Sequence, residues 1–335
     1  MRTIKLSDPK NRVNLVYSTD WHASERPPGR RGDDYRTAIL EKIDFVRQLT
    51  ERLNGAALCG ADVFHNKEPK HVGNSYRLLS DLYNTLSRFP QGCVFGSVGN
   101  HDLLADRMDS LPRQPLGLLI EVGAYHDLNR ETVLFTNSDE SIKVSVETFP
   151  YAESVETIKN ILNSGPRHPD VNYRIGIVHA YGRPGGESYI YSTRAIGYDE
   201  LKGADFDFLL WGHDHSRHET ETVGGITHIN LGSLARAAYS YDELDRPVVA
   251  TVLSFAPDGV RVKEFPIPVK PLEAVFRIAD KGMDAVSKSD EVKGFLTEMD
   301  DTVADMRHTD PRTVLQELCQ NDPKLLSLVM ELCEL

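Results

Sequence analysis

The sequence predicts an α/β fold in which two stacked sheets are flanked by helices. Three observations carry this expectation. Short apolar segments alternate with helical periodicity through the first hundred residues. The middle of the chain is richer in extended segments. Five of the apolar segments end on a cluster of Asp, His or Asn. Alternating strands and helices give a parallel sheet with helices packed on it, because parallel strands are buried on both faces and need cover.

The first strand is Val13 to Thr19, apolar and ending at Asp20. A loop with Pro27, Pro28, Gly29 and Gly32 follows. A helix is expected from Asp33 to Asn54, where Tyr35, Ile39, Ile43, Val46, Leu49 and Leu53 recur every three or four residues and Asp33 or Asp34 can cap the start. Ala56–Cys59 reads as a strand, His71–Arg88 as a helix with Leu78, Leu79, Leu82 and Leu86 on one face, and Cys93–Val98 as a strand. Thr132–Thr136, Ile142–Thr148, Tyr173–Val178, Phe206–Leu210, Thr227–Leu231, Val248–Phe255 and Val260–Phe265 all look extended, interrupted by a helix at about Ser154–Leu162. After Pro266, Pro268 and Pro271 the character changes. Leu272–Ile278 reads as one more strand, and from Ser289 the chain is helical and acidic. Asp310-Pro311 opens one helix as cap and first residue, and Asn321-Asp322-Pro323 separates it from an amphipathic stretch at Leu325–Leu332.

Composition narrows the class. The 335 residues are 40% hydrophobic and 26% charged, an ordinary globular balance. No apolar run approaches the ~18–20 residues that span a bilayer, and Met1 to Pro9 lacks the apolar core of a secretory signal. A cytoplasmic protein that does not engage a membrane is the expectation. Cys59, Cys93, Cys319 and Cys333 form no CxxC pair, so they read as reduced thiols and not as a zinc site. The net charge of -12 argues against a nucleic-acid partner. Its distribution softens this, since residues 1–120 carry 17 Lys/Arg against 14 Asp/Glu while residues 280–335 carry 6 against 13.

The chemistry lies at the strand ends. Asp20-Trp21-His22 follows the first strand, Gly60-Ala61-Asp62-Val63-Phe64-His65 the second, and Gly99-Asn100-His101-Asp102 the third. His179 and Gly212-His213-Asp214-His215 follow two later ones. Open α/β sheets place their sites at the carboxyl ends of strands, so five ends deliver these side chains to one rim. Carboxylates, imidazoles and an amide oxygen suit Mn²⁺, Zn²⁺ or Fe²⁺. Any one of these clusters alone is weak, and a lone strand-end His is more often structural. All five in order are strong.

The motif order D-x-H, G-(x)-D, G-N-H-D, H and G-H-x-H resembles that of the calcineurin-like metallophosphoesterases, over roughly residues 13–265. The resemblance implies a four-layer sandwich of two mixed β-sheets flanked by helices, with a nuclease-type catalytic domain at 1–268. Residues 269–335 would then be a short cap remnant and a helical C-terminal appendage. It implies two divalent cations, most readily Mn²⁺. Asp20, His22, Asp62 and His215 would hold one, Asp62, Asn100, His179 and His213 the other, with Asp62 shared. His101 would bind no metal but would stabilise the transition state or protonate the leaving oxygen, a task suited to imidazole. Asp102 would orient His101.

Within that superfamily, Asp62-Val63-Phe64-His65-Asn66-Lys67-Glu68-Pro69 is similar to the SbcD-type DNA repair nucleases, relatives of the meiotic-recombination-eleven nuclease. Asn230-Leu231-Gly232-Ser233-Leu234-Ala235-Arg236, followed by Glu243 and Val248–Leu253, is similar to the same group. That resemblance implies an exonuclease with single-strand endonuclease activity, acting in repair or recombination as a homodimer with an SbcC-type coiled-coil ATPase. Its dimer contact would fall near residues 71–121, and 289–335 would either dock the partner or pack on the core. His65 would contact the scissile phosphate, or be a plain surface histidine. Arg26, Arg30, Arg31, Lys67, Lys70 and Arg183 lie beside the motifs and could touch DNA phosphates or be solvated. Two features depart from the group. Ala61 stands where a glycine is usual before the shared Asp, so a slightly different turn is expected there, and the segment after residue 270 is short. A phosphatase or small-molecule phosphodiesterase, and a non-catalytic scaffold, are the competing readings.

Overall fold

A computed structural model describes residues 2–29, 31–129, 131–151, 155–164, 168–184, 195–238 and 246–276. Arg30, Glu243 and the expected C-terminal helices over 289–335 lie outside the described residues.

Two mixed sheets form the centre. The first holds β2 (Val13–Ser18), β3 (Ala56–Cys59), β4 (Val94–Gly96), β5 (Tyr125–Asp127), β14 (Val249–Ala256) and β15 (Gly259–Pro266), in the order β15-β14-β2-β3-β4-β5. From β2 to β5 the pairing is parallel, while β14 joins β2 antiparallel, Val13 opposite Phe255. The second sheet is built from β1 (Arg2–Lys5), β6 (Val133–Thr136), β7 (Lys143–Phe149), β8 (Tyr173–His179), β11 (Phe208–Gly212), β12 (Glu221–Val223) and β13 (Ile226–Asn230). Its order is β1-β6-β7-β8-β11-β13-β12, and its central strands β7, β8, β11 and β13 run parallel. A two-stranded ribbon, β9 (Tyr181–Arg183) and β10 (Ala195–Gly197), forms a separate small sheet packed on Trp211 of β11.

Period-two alternation explains the layers. On β2 every residue is buried. Val13, Leu15 and Tyr17 face the inter-sheet core with Phe95, Phe135, Ile175, Leu210 and Phe255. Val16 faces the other way, towards the helices. That outer layer is α1 (Tyr35–Arg52), α2 (Tyr76–Leu86) and α3 (Pro115–Glu121), which bury Ile39, Ile43, Val46, Leu78, Leu82 and Leu119 against the first sheet. On the far side, α4 (Val155–Ser164) buries Ile158 and Leu162 with Leu209 and Trp211 of β11. The two sheets and their outer helices are the architecture expected from sequence. Among the described residues no helix is long and apolar enough to cross a membrane.

The start of α1 matches its sequence signal, with the Asp34 carboxylate accepting from Thr37 N. Two expectations need correction. The second helix begins at Tyr76 and not at His71, because Ser75 caps it and the Asn74 amide donates to the carbonyls of Asn66 and Glu68, closing a turn over the preceding residues. Leu272–Val275 is a short helix, α5, and not a strand. Pro271 sets its N-cap, and Val275 O accepts from Gly32 N at 2.8 Å, so the segment folds back on the loop after the first motif.

Candidate metal centre

The loops after β2 and β3 are laced together beyond their strands. Asp20 N donates to Ala61 O (3.2 Å), His22 N to Asp62 O (2.9 Å) and Ala23 N to Val63 O (2.8 Å). The chain turns sharply at the candidate ligands and beside them. Asp20, His22, Ala61, Asp62 and His213 have φ of 52°, 45°, 98°, 49° and 83°. Left-handed backbone at non-glycine residues is strained and clusters at sites that the surroundings hold firmly. Ala61 therefore takes a left-handed conformation that glycine adopts more freely, where a slightly different turn was expected. Where no side chain fits at all, the sequence has Gly99, since a Cβ there would fall on the Asp62 carboxylate.

The side chains converge in three groups, each with its potential ligand atoms within 4.8 Å of one another: Asp20, His22, Asp62 and His215; Asp62, His179 and His213; and His22, His65 and His101. Asp62 belongs to the first two groups. His22 Nε2 and His215 Nε2 face each other at 2.9 Å, and Asp62 Oδ2 lies 3.7 Å from His22 Nε2 and 3.3 Å from His179 Nε2. Asn100 Oδ1 is 3.3 Å from His179 Nε2, which adds the amide to the second group.

These residues fit a pair of cations by two tests. Asp62 is 1% exposed, and its Oδ2 makes no aligned hydrogen bond while Oδ1 accepts from His101 N. A buried carboxylate oxygen left bare is costly unless a cation meets it. Three of its imidazoles also stand ready as neutral donors. Loss of hydration lowers the imidazoles of His22 and His213 far below their usual range, and lowers that of His215, whose side chain stays 43% exposed, to about 4. They are neutral lone-pair donors. For Asp62, burial works to raise the carboxyl, yet His179 and His101 outweigh it and hold it well below the usual range. For His179 burial opposes the charge, but Asp62 and Asp20 keep it raised, at about 9. Its Nδ1 sits 3.0 Å from Gly60 O, which can only accept, so Nδ1 carries a proton and Nε2 is aimed at Asp62.

The residues beside the ligands are placed differently from expectation in several cases. Asp102 does not reach His101. Its carboxylate, 2% exposed, accepts from Gly99 N and Phe64 N at 3.1 Å each, so it shapes the turn that carries Asn100. His101 is oriented instead by the main-chain carbonyl of His65. The His65 ring stacks on His101 with centroids 5.8 Å apart, and burial lowers its imidazole to about 3. Arg31 and Arg183 are buried and do not face solvent. Arg31 pairs with Asp33 at 2.6 Å and lies over the Tyr35 ring, while Arg183 pairs with Asp214 at 2.8 Å. Lys67 lies 3.5 Å from Asp106. Arg26 and Lys70 are exposed.

Sequence reading missed three contributors. Tyr181 and Tyr151 pack on the His213 ring at 4.3 and 4.8 Å. Asp214, between the two ligands of the last motif, also takes Ser216 N and His218, and so fixes that turn. An acid between two histidine ligands was a readable signal. The tyrosines had none.

No family model matches the chain, and no curated protein matches it. Solved structures similar to it include the 5'-nucleotidase precursor from Thermus thermophilus, at 15% identity and a TM-score of 0.43, covering 79% of this chain. This chain spans 56% of that nucleotidase precursor's length. The protein TT1561, also from Thermus thermophilus, is 8% identical with a TM-score of 0.43, over 75% of this chain and 98% of that one. A Vps29 single mutant from Entamoeba histolytica is 15% identical with a TM-score of 0.30, over 76% and 100%.

Proposed function

We propose that this chain is a two-metal-dependent phosphodiesterase of the calcineurin-like superfamily, and that its substrate is DNA. The carrying observation is the shared Asp62, whose bare Oδ2 stands between two histidine-rich groups with His101 at their edge. Asp20, His22, Asp62 and His215 would hold one divalent cation, and Asp62, Asn100, His179 and His213 the other. When bound, two such ions offset phosphate charge and acidify water.

The chain's own residues supply the rest. His101 Nδ1 carries a proton held by His65 O, so Nε2 is the atom that can gain a proton and deliver it to a leaving oxygen. The His65 ring, stacked beside it, crowds water from that edge and would meet the phosphate. Among the described residues, Arg26 and Lys70 are exposed cations near the motifs that would contact flanking phosphates. In this reading the protein works as an SbcD-type nuclease in repair or recombination. An SbcC-type ATPase would dock through 289–335, and the protein would form a homodimer near residues 71–121, where Tyr76 and Val72 are 92% and 61% exposed.

A second reading keeps the chemistry and shrinks the substrate to a phosphomonoester or small phosphodiester. It is favoured by the burial of Arg31 and Arg183, which leaves fewer cations for a polyanion. One experiment separates the two. End-labelled duplex and single-stranded DNA are incubated with Mn²⁺, with and without EDTA, beside a His101→Gln variant and a p-nitrophenyl ester. Chelator-sensitive DNA cleavage lost in the variant supports the nuclease. Turnover of the ester alone supports the second reading.

A further inference from the structure

We infer that residues 233–236, which follow β13, form a strap that sets the spacing between Asp20 and His215, and that Ser233, Lys42 and Arg246 are positioning residues for the first cation group. The inference rests on the two-cation reading above.

The strap ties two loops that come from opposite sheets. Ser233 N donates to His215 O at 3.1 Å, and Ser233 Oγ donates to Asp20 O at 2.9 Å. Leu234 N reaches Thr19 O at 2.9 Å, and Ala235 N reaches Asp20 O at 3.2 Å. One residue, Ser233, therefore holds the main chains of two ligands whose side chains, His215 Nε2 and Asp20 Oδ1, stand 3.8 Å apart.

The other side of the strap is held by charge. Four successive carbonyls accept from cationic side chains. Arg246 gives Nη1 to Ser233 O at 2.8 Å and Nη2 to Ala235 O at 3.0 Å. Lys42 Nζ reaches Leu234 O at 2.7 Å, and Arg31 Nη1 reaches Arg236 O at 2.7 Å. Lys42, Arg246 and Arg31 are only 5%, 7% and 7% exposed. Burying charge to hold a loop is expensive where water would satisfy the same carbonyls, so the arrangement contributes rigidity more than stability. The Ser233 and Leu234 carbonyls, polarised by Arg246 and Lys42, also strengthen donation from Leu234 N to Thr19 O and from Ala235 N to Asp20 O. His179, by contrast, is aimed by Gly60 O, on the loop after β3.

Calorimetric titration of metal-free protein with Mn²⁺ tests this without reading activity. A His179→Gln background keeps the first group, and a His22→Gln background keeps the second. Ser233→Ala should weaken Mn²⁺ about tenfold in the first background and less than about threefold in the second, with Ser233→Thr restoring the loss. Lys42→Met should repeat the selective pattern, and circular dichroism checks that each variant is folded. Wild-type Mn²⁺ affinity for folded Ser233→Ala, or equal weakening in both backgrounds, would overturn the inference. A wild-type chain that binds no Mn²⁺ would remove the two-cation reading itself, and the inference with it.

Discussion

His101 Nδ1 lies 2.7 Å from the main-chain carbonyl oxygen of His65, so the orientation of the candidate proton donor depends on backbone and not on a carboxylate. His101→Gln should lower kcat by about 10²–10⁴-fold with Mn²⁺ affinity unchanged. His65→Ala keeps the carbonyl, so it should leave the shape of the pH–rate profile intact while slowing turnover. Steady-state kinetics across pH measure both. A profile reshaped by His65→Ala would show that the ring, and not the carbonyl, governs His101.

Asp102 serves the turn and not the imidazole. Asp102→Ala strips the acceptor from Gly99 N and Phe64 N, at about 1–3 kcal/mol for each buried donor left bare. Thermal melts of the metal-free variant should show a large drop. An unchanged melting temperature paired with lost activity would return Asp102 to a catalytic role.

Arg183 is paired with Asp214 inside the protein, whereas Arg26 and Lys70 face solvent. Arg26→Ala and Lys70→Ala should each reduce the slope of log affinity against log salt for DNA by about one. Arg183→Ala should leave that slope alone and instead weaken Mn²⁺, because the His213–His215 turn loses its anchor. Fluorescence anisotropy at several salt concentrations decides this.

His228 is stacked on Tyr198 with centroids 4.0 Å apart and accepts from Trp211 Nε1 at 3.2 Å. Burial lowers its imidazole from 6.5 to about 4. The unfolded chain therefore binds the extra proton first as pH falls. The neutral, packed ring contributes stability that is full above about 6.5 and is lost as pH drops towards 4. In denaturant titrations of metal-free protein, His228→Phe should make stability less steep over this window, by up to about 1.4 kcal/mol per pH unit. Parallel slopes for the two proteins would contradict it.

The converging Asp, His and Asn side chains were legible because each closes an apolar strand, and strand ends are local signals. The α1 cap and stripe were legible for the same reason. What escaped depends on distant chain. Ala61 is held at φ 98° by a loop pairing with Asp20, and no neighbour in sequence announces that. Its burial and conformation together predict that Ala61→Val, β-branched, costs about 2–4 kcal/mol and loses Mn²⁺, as melts and titration would show. Lys42 sat on the apolar stripe of α1 beside Ile39 and Ile43, and a charge in that position was the one visible hint of the carbonyl it reaches 192 residues away. Arg31 and Arg183 looked like surface cations because their distant partners, Arg236 O for one and Asp214 for the other, are joined only by tertiary contact.

The antiparallel seam between β14 and β2 has a consequence for biosynthesis. The neighbour that closes the open edge of the strand leading to Asp20, Thr251 to Phe255, leaves the ribosome more than two hundred residues after it. Until then the nascent polypeptide presents an unpaired apolar edge, which invites chaperone capture or aggregation. Such distant pairing also implies slow folding. A chain truncated before residue 249 would never seal that flank.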